Sequence, residues 1–232
     1  MCTVSYIPRE NGYILTSNRD EDPRRETKGP EEIRLSNGLE VIAPQDKLKG
    51  GTWIAMDRRG RAVCLLNGAF GRHKRQLPYR RSRGYYVFEA LQARDFDSFA
   101  RESSLDGIEP FTLLMITRER ILKMIWDGNR KYHWVLPSHT MHLWSSPTLY
   151  TARQHGDKEL YFKEETPNQQ ISPEKLLRIH GSDTVTPFIL NRPEVSTVSI
   201  TQLIISGDTA TLQYLVKGKN HEKASFISSA II

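Results

Sequence analysis

The segment at residues 62–66, Ala-Val-Cys-Leu-Leu, constrains the fold most, because it is apolar at every position. A strand with this pattern is typically buried on both of its faces. The pair Gly50-Gly51 and a turn at Arg58-Arg59-Gly60 place the segment in a hairpin with residues 52–56. We therefore predict a sheet that lies between two other layers of structure.

The remaining periodicities predict strands and helices in separate blocks. Asn11-Gly12 joins a first hairpin, and Ser172 with Pro173 begins a capped helix. The predicted strands are residues 3–7, 13–17, 52–56, 62–66, 111–117, 121–126, 131–136, 143–145, 196–205 and 211–216. The predicted helices are residues 84–94, with 95–102 extending or restarting the helix, 147–162 and 173–180. Residues 22–30 are predicted to be a surface loop. This order favours an α+β fold over a doubly wound parallel fold, and we expect one domain over residues 1–232.

Composition narrows the class of protein. No apolar run approaches the 18–20 residues or so that cross a bilayer, and the first residues do not resemble a signal peptide. The two cysteines, Cys2 and Cys64, make a disulfide framework unexpected and favour a reducing compartment. The seven histidines lack zinc-ligand spacing. We therefore expect a cytoplasmic protein with no membrane span, no metal and no cofactor.

Basic residues are concentrated between Arg72 and Arg83, within a chain of net charge +6. Such a segment is either a solvated loop or a surface that binds nucleic acid, anionic lipid or a phosphorylated ligand. No recognised nucleic-acid-binding motif accompanies it, so we expect no nucleic-acid partner. If the segment does bind a ligand, the predicted contacts are Arg80, Arg81 and Arg83, at the rim of a pocket.

Cys2 is a candidate nucleophile. A small second residue permits removal of Met1, which would leave the thiol on a residue that also carries a free α-amine. That amine has a pKa of about 7.7–8.0, so it can accept the thiol proton near neutral pH. One residue would then supply both the nucleophile and the base.

Two further segments could complete a site around Cys2. The tetrad Asn18-Arg19-Asp20-Glu21 follows the second predicted strand and is either a salt-bridged turn or a set of groups that orient the amine and favour the thiolate. Asn67 ends the buried strand and precedes Gly68, so it is either a turn residue or a rigidly held donor to an oxyanion.

These segments resemble a known family in their order and spacing. The shared motifs are Met-Cys-Thr-Val at residues 1–4, Leu-Thr-Ser-Asn-Arg-Asp-Glu at 15–21, Gly-Gly-Thr-Trp-Ile at 50–54 and Gly-Arg-Ala-Val-Cys-Leu-Leu-Asn-Gly at 60–68. Later segments, at residues 109–113, 126–128, 144–151 and 199–202, extend the likeness. The chain thus resembles the NRDE family, also called the Transport and Golgi organisation protein 2 family.

The NRDE family in turn resembles the cysteine-type N-terminal-nucleophile (Ntn) hydrolases of the bile-salt hydrolase and penicillin V acylase group. The resemblance implies a four-layer αββα sandwich of two largely antiparallel sheets. It also implies that Cys2 is the nucleophile, that Asp20 contacts the N-terminal residue and that Asn67 is an oxyanion donor. Ser145 stands where the group has a second asparagine, and Ser17 stands where it has an arginine, so Arg19 is a candidate replacement. Trp53, in the Gly-Gly-Thr-Trp motif, is a further predicted ligand contact.

Three functions are compatible with these observations. The first is an amidohydrolase or acyltransferase that forms an acyl-Cys2 intermediate on a small-molecule amide or thioester. The second is a non-catalytic carrier of haem or acyl-coenzyme A, ligands with which the family has been associated. The third is a structural or interaction protein. The sequence leaves the oligomeric state open.

Overall fold

The computed structural model describes residues 2–168, 170–216 and 221–227, and for position 2 and residues 221–227 it describes the backbone alone. The strands are β1 (Cys2–Arg9), β2 (Gly12–Glu21), β3 (Thr27–Arg34), β4 (Glu40–Asp46), β5 (Ile54–Asp57), β6 (Ala62–Asn67), β7 (Phe111–Ile116), β8 (Ile121–Trp126), β9 (Lys131–Leu136), β10 (His142–Ser145), β11 (Ser196–Ser206), β12 (Thr209–Val216) and β13 (His221–Ile227). The helices are α1 (Tyr85–Gln92), α2 (Phe96–Glu102), α3 (Ala152–Glu165) and α4 (Pro173–Ile179).

The strands form two antiparallel sheets. One sheet has six strands in the order β10-β1-β2-β11-β12-β13, and the other has seven in the order β3-β4-β5-β6-β7-β8-β9. Strand β1 is therefore an interior strand of its sheet, although it begins the chain. It pairs with β2 through a short turn and with β10 from more than a hundred residues away.

Three apolar clusters define four layers. Val4, Leu15, Leu66 and Leu203 belong to the cluster between the two sheets. A second cluster packs α1 and α2 against the seven-stranded sheet, and a third packs α3 and α4 against the six-stranded sheet. Strand β6 is buried along its whole length, as its apolar sequence predicts. The αββα sandwich predicted from the resemblance is confirmed.

Most predicted elements are present, and the exceptions have physical reasons. Residues 22–30 are not a continuous loop, because the edge strand β3 begins at Thr27 and continues past an irregularity in register between Lys28 and Glu31. Its partner β4 was not predicted either. An edge strand exposes one side to water, so its charged residues and Pro30 hid the strand pattern.

The helix predicted over residues 147–162 begins later, at Ala152. Thr151 caps it, since its hydroxyl accepts from the Gln154 N–H while the Gln154 side chain accepts from the Thr151 N–H. The capped start at Ser172 with Pro173 in the first turn is confirmed for α4.

Candidate functional site

The register of β1 brings position 2, the tetrad and Ser145 together. The backbone of position 2 pairs with Arg19 of β2, and the next residue, Thr3, pairs with Asn18 on one side and with Ser145 of β10 on the other. Met1, whose removal the sequence predicts, lies outside the described residues, as does the side chain of Cys2. The backbone alone therefore places position 2 among the tetrad and Ser145.

The tetrad is part of β2 and not a turn that follows it, which corrects the sequence interpretation. Because side chains alternate along a strand, neighbouring members of the tetrad face opposite sides of the sheet. Arg19 packs on Trp53 with its guanidinium carbon 4.6 Å from the ring centroid. Asp20 instead contacts Tyr150 and Thr197, which lie on the other side. The guanidinium of Arg19 and the carboxylate of Asp20 therefore lie on opposite faces of the sheet near the start of β1.

Arg19 is almost completely buried, with 3% of its surface exposed. One of its terminal nitrogens, Nη2, donates to Asp46 Oδ2 at 3.0 Å, and the same carboxylate oxygen accepts from Arg25 Nε at 2.5 Å. Glu21 completes the cluster through its ion pair with Arg25 at 3.3 Å. Asp46 thus fixes the guanidinium of Arg19 from one side.

Asp20 is fully buried and accepts two hydrogen bonds, from the hydroxyls of Tyr150 and Thr197, the latter at 2.6 Å. Burial raises the pKa of this carboxyl above its ordinary value, and the two hydrogen bonds offset only part of that effect. The positive charge of Lys158, which is 1% exposed, lowers the pKa of Asp20 and so offsets a further part of the effect of burial. Its Nζ donates to Thr3 Oγ1 at 2.5 Å and lies 3.0 Å from the ring centroid of Tyr150.

A small cavity of about 70 Å³ lies on the Arg19 side of the strand. Arg19, Trp53, Leu65, Asn67 and Arg83 contribute to its lining. Around Glu21 and Arg25 it adjoins a wider depression of about 600 Å³. The cavity therefore unites residues from both sheets with the segment that precedes α1.

Asn67 is held in place through its backbone and is 8% exposed. It pairs with Phe111 of β7, and its carbonyl accepts a hydrogen bond of 2.6 Å from the hydroxyl of Ser146. Ser146 directly follows Ser145, so this bond ties the end of β6 to the strand beside position 2. Ser145 itself is half-buried.

Glu109 is the centre to which much of the basic segment is anchored. It accepts from Arg75 Nε at 3.1 Å, pairs with Arg83 Nη2 at 3.1 Å and lies 3.3 Å from His73 Nε2. Burial opposes ionisation of this carboxyl, but the neighbouring cations outweigh it, and the pKa of Glu109 is lowered. The segment is therefore folded onto the protein by a buried carboxylate.

Of the three arginines predicted to bind ligand, Arg83 is the one that lines the cavity. Arg80 donates to the hydroxyl of Tyr86 and to the Ser104 carbonyl. Arg81 pairs with Glu89 and lies 4.2 Å from the centre of the Tyr85 ring. The structure thus places Arg80 and Arg81 outside the cavity lining, and their role as ligand contacts stays a prediction.

Several residues of the site were missed by sequence reasoning. Thr197 pairs with Asp20 across β2 and β11, a juxtaposition that follows only from the strand order. Tyr150 belongs to a motif that carried the resemblance but had no assigned role. Lys158 lies in a polar helix, where a lysine gives no sign of burial. The roles of Asp46 and Glu109 follow only from their ion pairs with arginines that are distant in sequence.

A second buried polar group superficially resembles a catalytic relay. His180 lies between Ser5 Oγ, 2.7 Å from its Nε2, and Asn18 Oδ1, 2.5 Å from its Nδ1. All three residues are fully buried, so no substrate can approach them. Burial, reinforced by the charge of Lys158, lowers the pKa of His180 to about 3. We interpret this group as a set of structural hydrogen bonds that hold the end of α4 against the six-stranded sheet.

The burial of His180 predicts a pH dependence of stability. His180 is neutral in the folded chain, whereas in the unfolded chain it binds a proton below its ordinary pKa of about 6.5. Stability is therefore fully present above about pH 6.5 and is lost as the pH falls towards 3, by about 1.4 kcal/mol per pH unit from this group. Urea unfolding at several pH values between 7.5 and 4.5 measures the slope.

The variant His180→Gln should show a flatter slope than the wild type, whereas His133→Gln, at an exposed position, should leave the slope unchanged. Equal slopes for the wild type and His180→Gln would contradict the assignment of a neutral buried His180.

Neither a metal centre nor a membrane helix is seen in the part of the chain that the structure describes. Within residues 2–168, 170–216 and 221–227, no three His, Cys, Asp or Glu side chains are grouped so that they could hold an ion. Among the helices of the same ranges, none has the length and apolarity required to cross a membrane.

Two solved structures with the same fold are named as an amidase and a hydrolase. The Caenorhabditis elegans orthologue of N-acylethanolamine-hydrolyzing acid amidase superposes with a TM-score of 0.61 at 14% identity, over 89% of this chain and 93% of that one. A mutant of conjugated bile acid hydrolase from Clostridium perfringens gives a TM-score of 0.55 at 8% identity, over 98% of this chain and 92% of that one. Both are Ntn hydrolases, so the predicted fold class is confirmed.

The sequence comparisons identify the family. No curated protein matches the chain in sequence. A family model, described as Transport and Golgi organisation 2, matches residues 1–214. Since this match covers nearly the whole of the 232 residues, the chain belongs to the Transport and Golgi organisation 2 family.

Proposed function

We propose that this chain is an N-terminal-cysteine hydrolase or acyltransferase that acts on a small-molecule amide or thioester through an acyl-Cys2 intermediate. The observation that carries the proposal is the register of β1, which sets position 2 opposite Arg19 of β2, the residue before the buried Asp20. The same register sets the neighbouring Thr3 opposite Ser145 of β10. The Ntn-hydrolase fold supports it, since the neighbours with this fold are named as an amidase and a hydrolase. Removal of Met1 is part of the proposal.

The proposed reaction begins with transfer of the Cys2 thiol proton to its own α-amine. Asp20, buried and held by Thr197 and Tyr150, orients that amine, and the charge of Arg19 favours the thiolate. The thiolate attacks the carbonyl carbon, forming the S–C bond and placing negative charge on the oxygen. Asn67, which lines the cavity, donates to this oxyanion. Ser145 is not among the described residues that line the cavity, and its role as a second donor stays a prediction.

Collapse of the tetrahedral intermediate breaks the bond to the leaving group, which takes the proton from the α-amine and departs as an amine or a thiol. Water or an acceptor amine then attacks the acyl-Cys2 carbonyl and gives a proton to the α-amine. The S–C bond breaks, the Cys2 sulfur recovers that proton, and the acid or the new amide is released. The wider depression beside Glu21 and Arg25 has room for the leaving group.

The lining of the cavity favours this chemistry over a haem carrier. The cavity beside Arg19 measures about 70 Å³, well below the roughly 300–1,000 Å³ of pockets that enclose a drug-sized ligand. A ligand as large as haem or acyl-coenzyme A would therefore extend into the wider depression. The residues lining the cavity, among those the structure describes, include no histidine that could bind haem iron.

Alkylation of the two cysteines tests the proposal within one molecule. We expect iodoacetamide to label Cys2 well below pH 8, because the site favours its thiolate. Cys64 is fully buried in β6 and serves as the internal control, since it should react only after unfolding. The mass of the intact chain, measured before labelling, shows whether Met1 has been removed. Equal labelling of both thiols in the native protein, or retention of Met1, would contradict the proposal.

A further inference from the structure

Two buried hydrogen-bond donors in the cavity are unsatisfied. Among the described residues, Nη1 of Arg19 and Nε1 of Trp53 have no hydrogen-bond partner. Both side chains line the cavity, and they are only 3% and 5% exposed. A buried donor without a partner is costly, so folded proteins rarely keep one without a functional reason. Other buried polar atoms of the described residues are also unsatisfied, but these two donors belong to residues that line the same cavity, where the guanidinium carbon of Arg19 lies 4.6 Å from the centroid of the Trp53 ring. Their position in the cavity indicates a ligand that supplies acceptors.

The nearby charges indicate which acceptor fits. Three guanidinium groups and two carboxylates line the cavity, which leaves one positive charge in excess among the lining residues. The guanidinium groups are Arg19, Arg25 and Arg83, and the carboxylates are Glu21 and Asp46. A guanidinium N–H donates more strongly to a carboxylate than to a neutral oxygen. The missing partner is therefore best matched by an anionic oxygen.

The volume limits how much of a substrate can accompany that oxygen. A cavity of about 70 Å³ is well below the roughly 300–1,000 Å³ of pockets that enclose a drug-sized ligand. It suits a carboxylate with a short carbon chain. Any larger part of a substrate must lie in the wider depression, which is lined by Arg24, Arg25, Lys47 and Arg75.

We propose that Arg19 Nη1 and Trp53 Nε1 bind a carboxylate on the acyl half of the substrate, so that the enzyme acts on amides or thioesters of short dicarboxylic acids. This inference rests on the proposed function for the reaction at Cys2, but the carboxylate site is defined by the cavity alone. Arg19 thereby uses Nη2 to hold Asp46 and Nη1 to hold the ligand.

A matched pair of alkylating reagents tests the site. Iodoacetate and iodoacetamide both transfer a CH2 group to a thiolate, forming S–C and releasing iodide, but only the former carries a carboxylate. We expect Cys2 to react at least about tenfold faster with iodoacetate. Loss of one hydrogen bond to a charged group should reduce this preference about tenfold to a hundredfold.

Trp53→Phe is the decisive variant, because it removes the N–H and keeps both the charge of the cavity and most of the ring. Arg19→Lys should have a similar effect, since it keeps the positive charge but removes the planar guanidinium group and its Nη1 donor. Trp134→Phe is the matched control, at a half-exposed residue of β9 away from the cavity, and should retain the full preference for iodoacetate.

The outcomes separate this inference from the proposed function. An unchanged preference in Trp53→Phe, or no preference in the wild type, overturns the carboxylate site while the reactivity of Cys2 stands. A loss of rate with both reagents in Trp53→Phe overturns it as well, because Nε1 would then serve the reacting centre. If neither reagent labels native Cys2, the proposed function fails.

Calorimetry with malonate tests the site independently of Cys2 reactivity. Malonate should bind the wild type, its uncharged analogue malonamide should bind at least tenfold more weakly, and Trp53→Phe should lose that discrimination. Equal binding of the two compounds by the wild type, or binding of neither, overturns the inference.

Discussion

Insertion of an alanine between Met1 and Cys2 is expected to reduce turnover of a short acyl thioester by about 10²–10⁴-fold. The insertion leaves the thiol in the chain but converts its α-amine into a peptide nitrogen, which cannot accept a proton. The rate is then limited by the small thiolate fraction of an unassisted cysteine with a pKa of about 8.5. Release of the free thiol from the thioester, followed colorimetrically, measures the effect.

The pH profile provides a further readout for the same variant. Activity in the inserted protein should rise with pH towards the ordinary cysteine pKa, because ionisation of the thiol alone would control it. A variant with alanine inserted after Gly38, in the exposed turn between β3 and β4, is the control and should keep its activity. Full activity in the protein with the N-terminal insertion would eliminate the α-amine as the base.

Asp20→Asn is expected to abolish the rapid alkylation of Cys2 while shifting the melting temperature by only a few degrees, equivalent to about 1 kcal/mol. The amide keeps the shape of the carboxylate, and the hydroxyls of Thr197 and Tyr150 can rotate to suit it. It cannot stabilise or orient a cationic amine, however. Alkylation rate and thermal unfolding, measured on the same preparation, separate the two effects.

The direction of the Asp20 pKa shift adds a test to this prediction. Because burial raises that pKa, the acid limb of wild-type activity should lie above the pKa of an ordinary Asp, and activity should fall as the carboxylate becomes protonated. Asp57→Asn is the control, since Asp57 is equally buried but pairs with Arg61 at the turn between β5 and β6, at the opposite end of β6 from Asn67. It should lower stability without moving the acid limb. Failure of Asp20→Asn to fold would favour a purely structural role for Asp20.

The parts of the site that sequence could predict are those fixed by local structure. Asn11-Gly12 identifies the first hairpin, and that hairpin alone sets position 2 beside Arg19. The apolar run that ends at Asn67 identifies β6 and its burial. The polar character of the tetrad ends the predicted strand at Ser17 and leaves a turn and a set of catalytic groups as alternatives. The strand in fact continues to Glu21 and divides the tetrad between two faces.

The remaining parts depend on tertiary packing that leaves no local signal. Lys158 is buried because α3 packs over the start of β1, and nothing in its polar helix reveals this. The basic segment suggested a ligand surface, yet Glu109, some thirty residues further along the chain, neutralises much of it. The unsatisfied hydrogen-bond donors of Arg19 and Trp53 likewise arise only where the two sheets pack together.

The interior position of β1 has a consequence for biosynthesis. Its sheet partner β10 begins at His142, and β11, which pairs with β2, begins at Ser196. At synthesis rates of about 5–20 residues per second, the first strand waits roughly ten seconds or more for these partners to leave the ribosome. During that interval the amino terminus is accessible to an aminopeptidase. The slow, long-range topology thus gives the time in which the proposed nucleophile can be unmasked before the sheet closes around it.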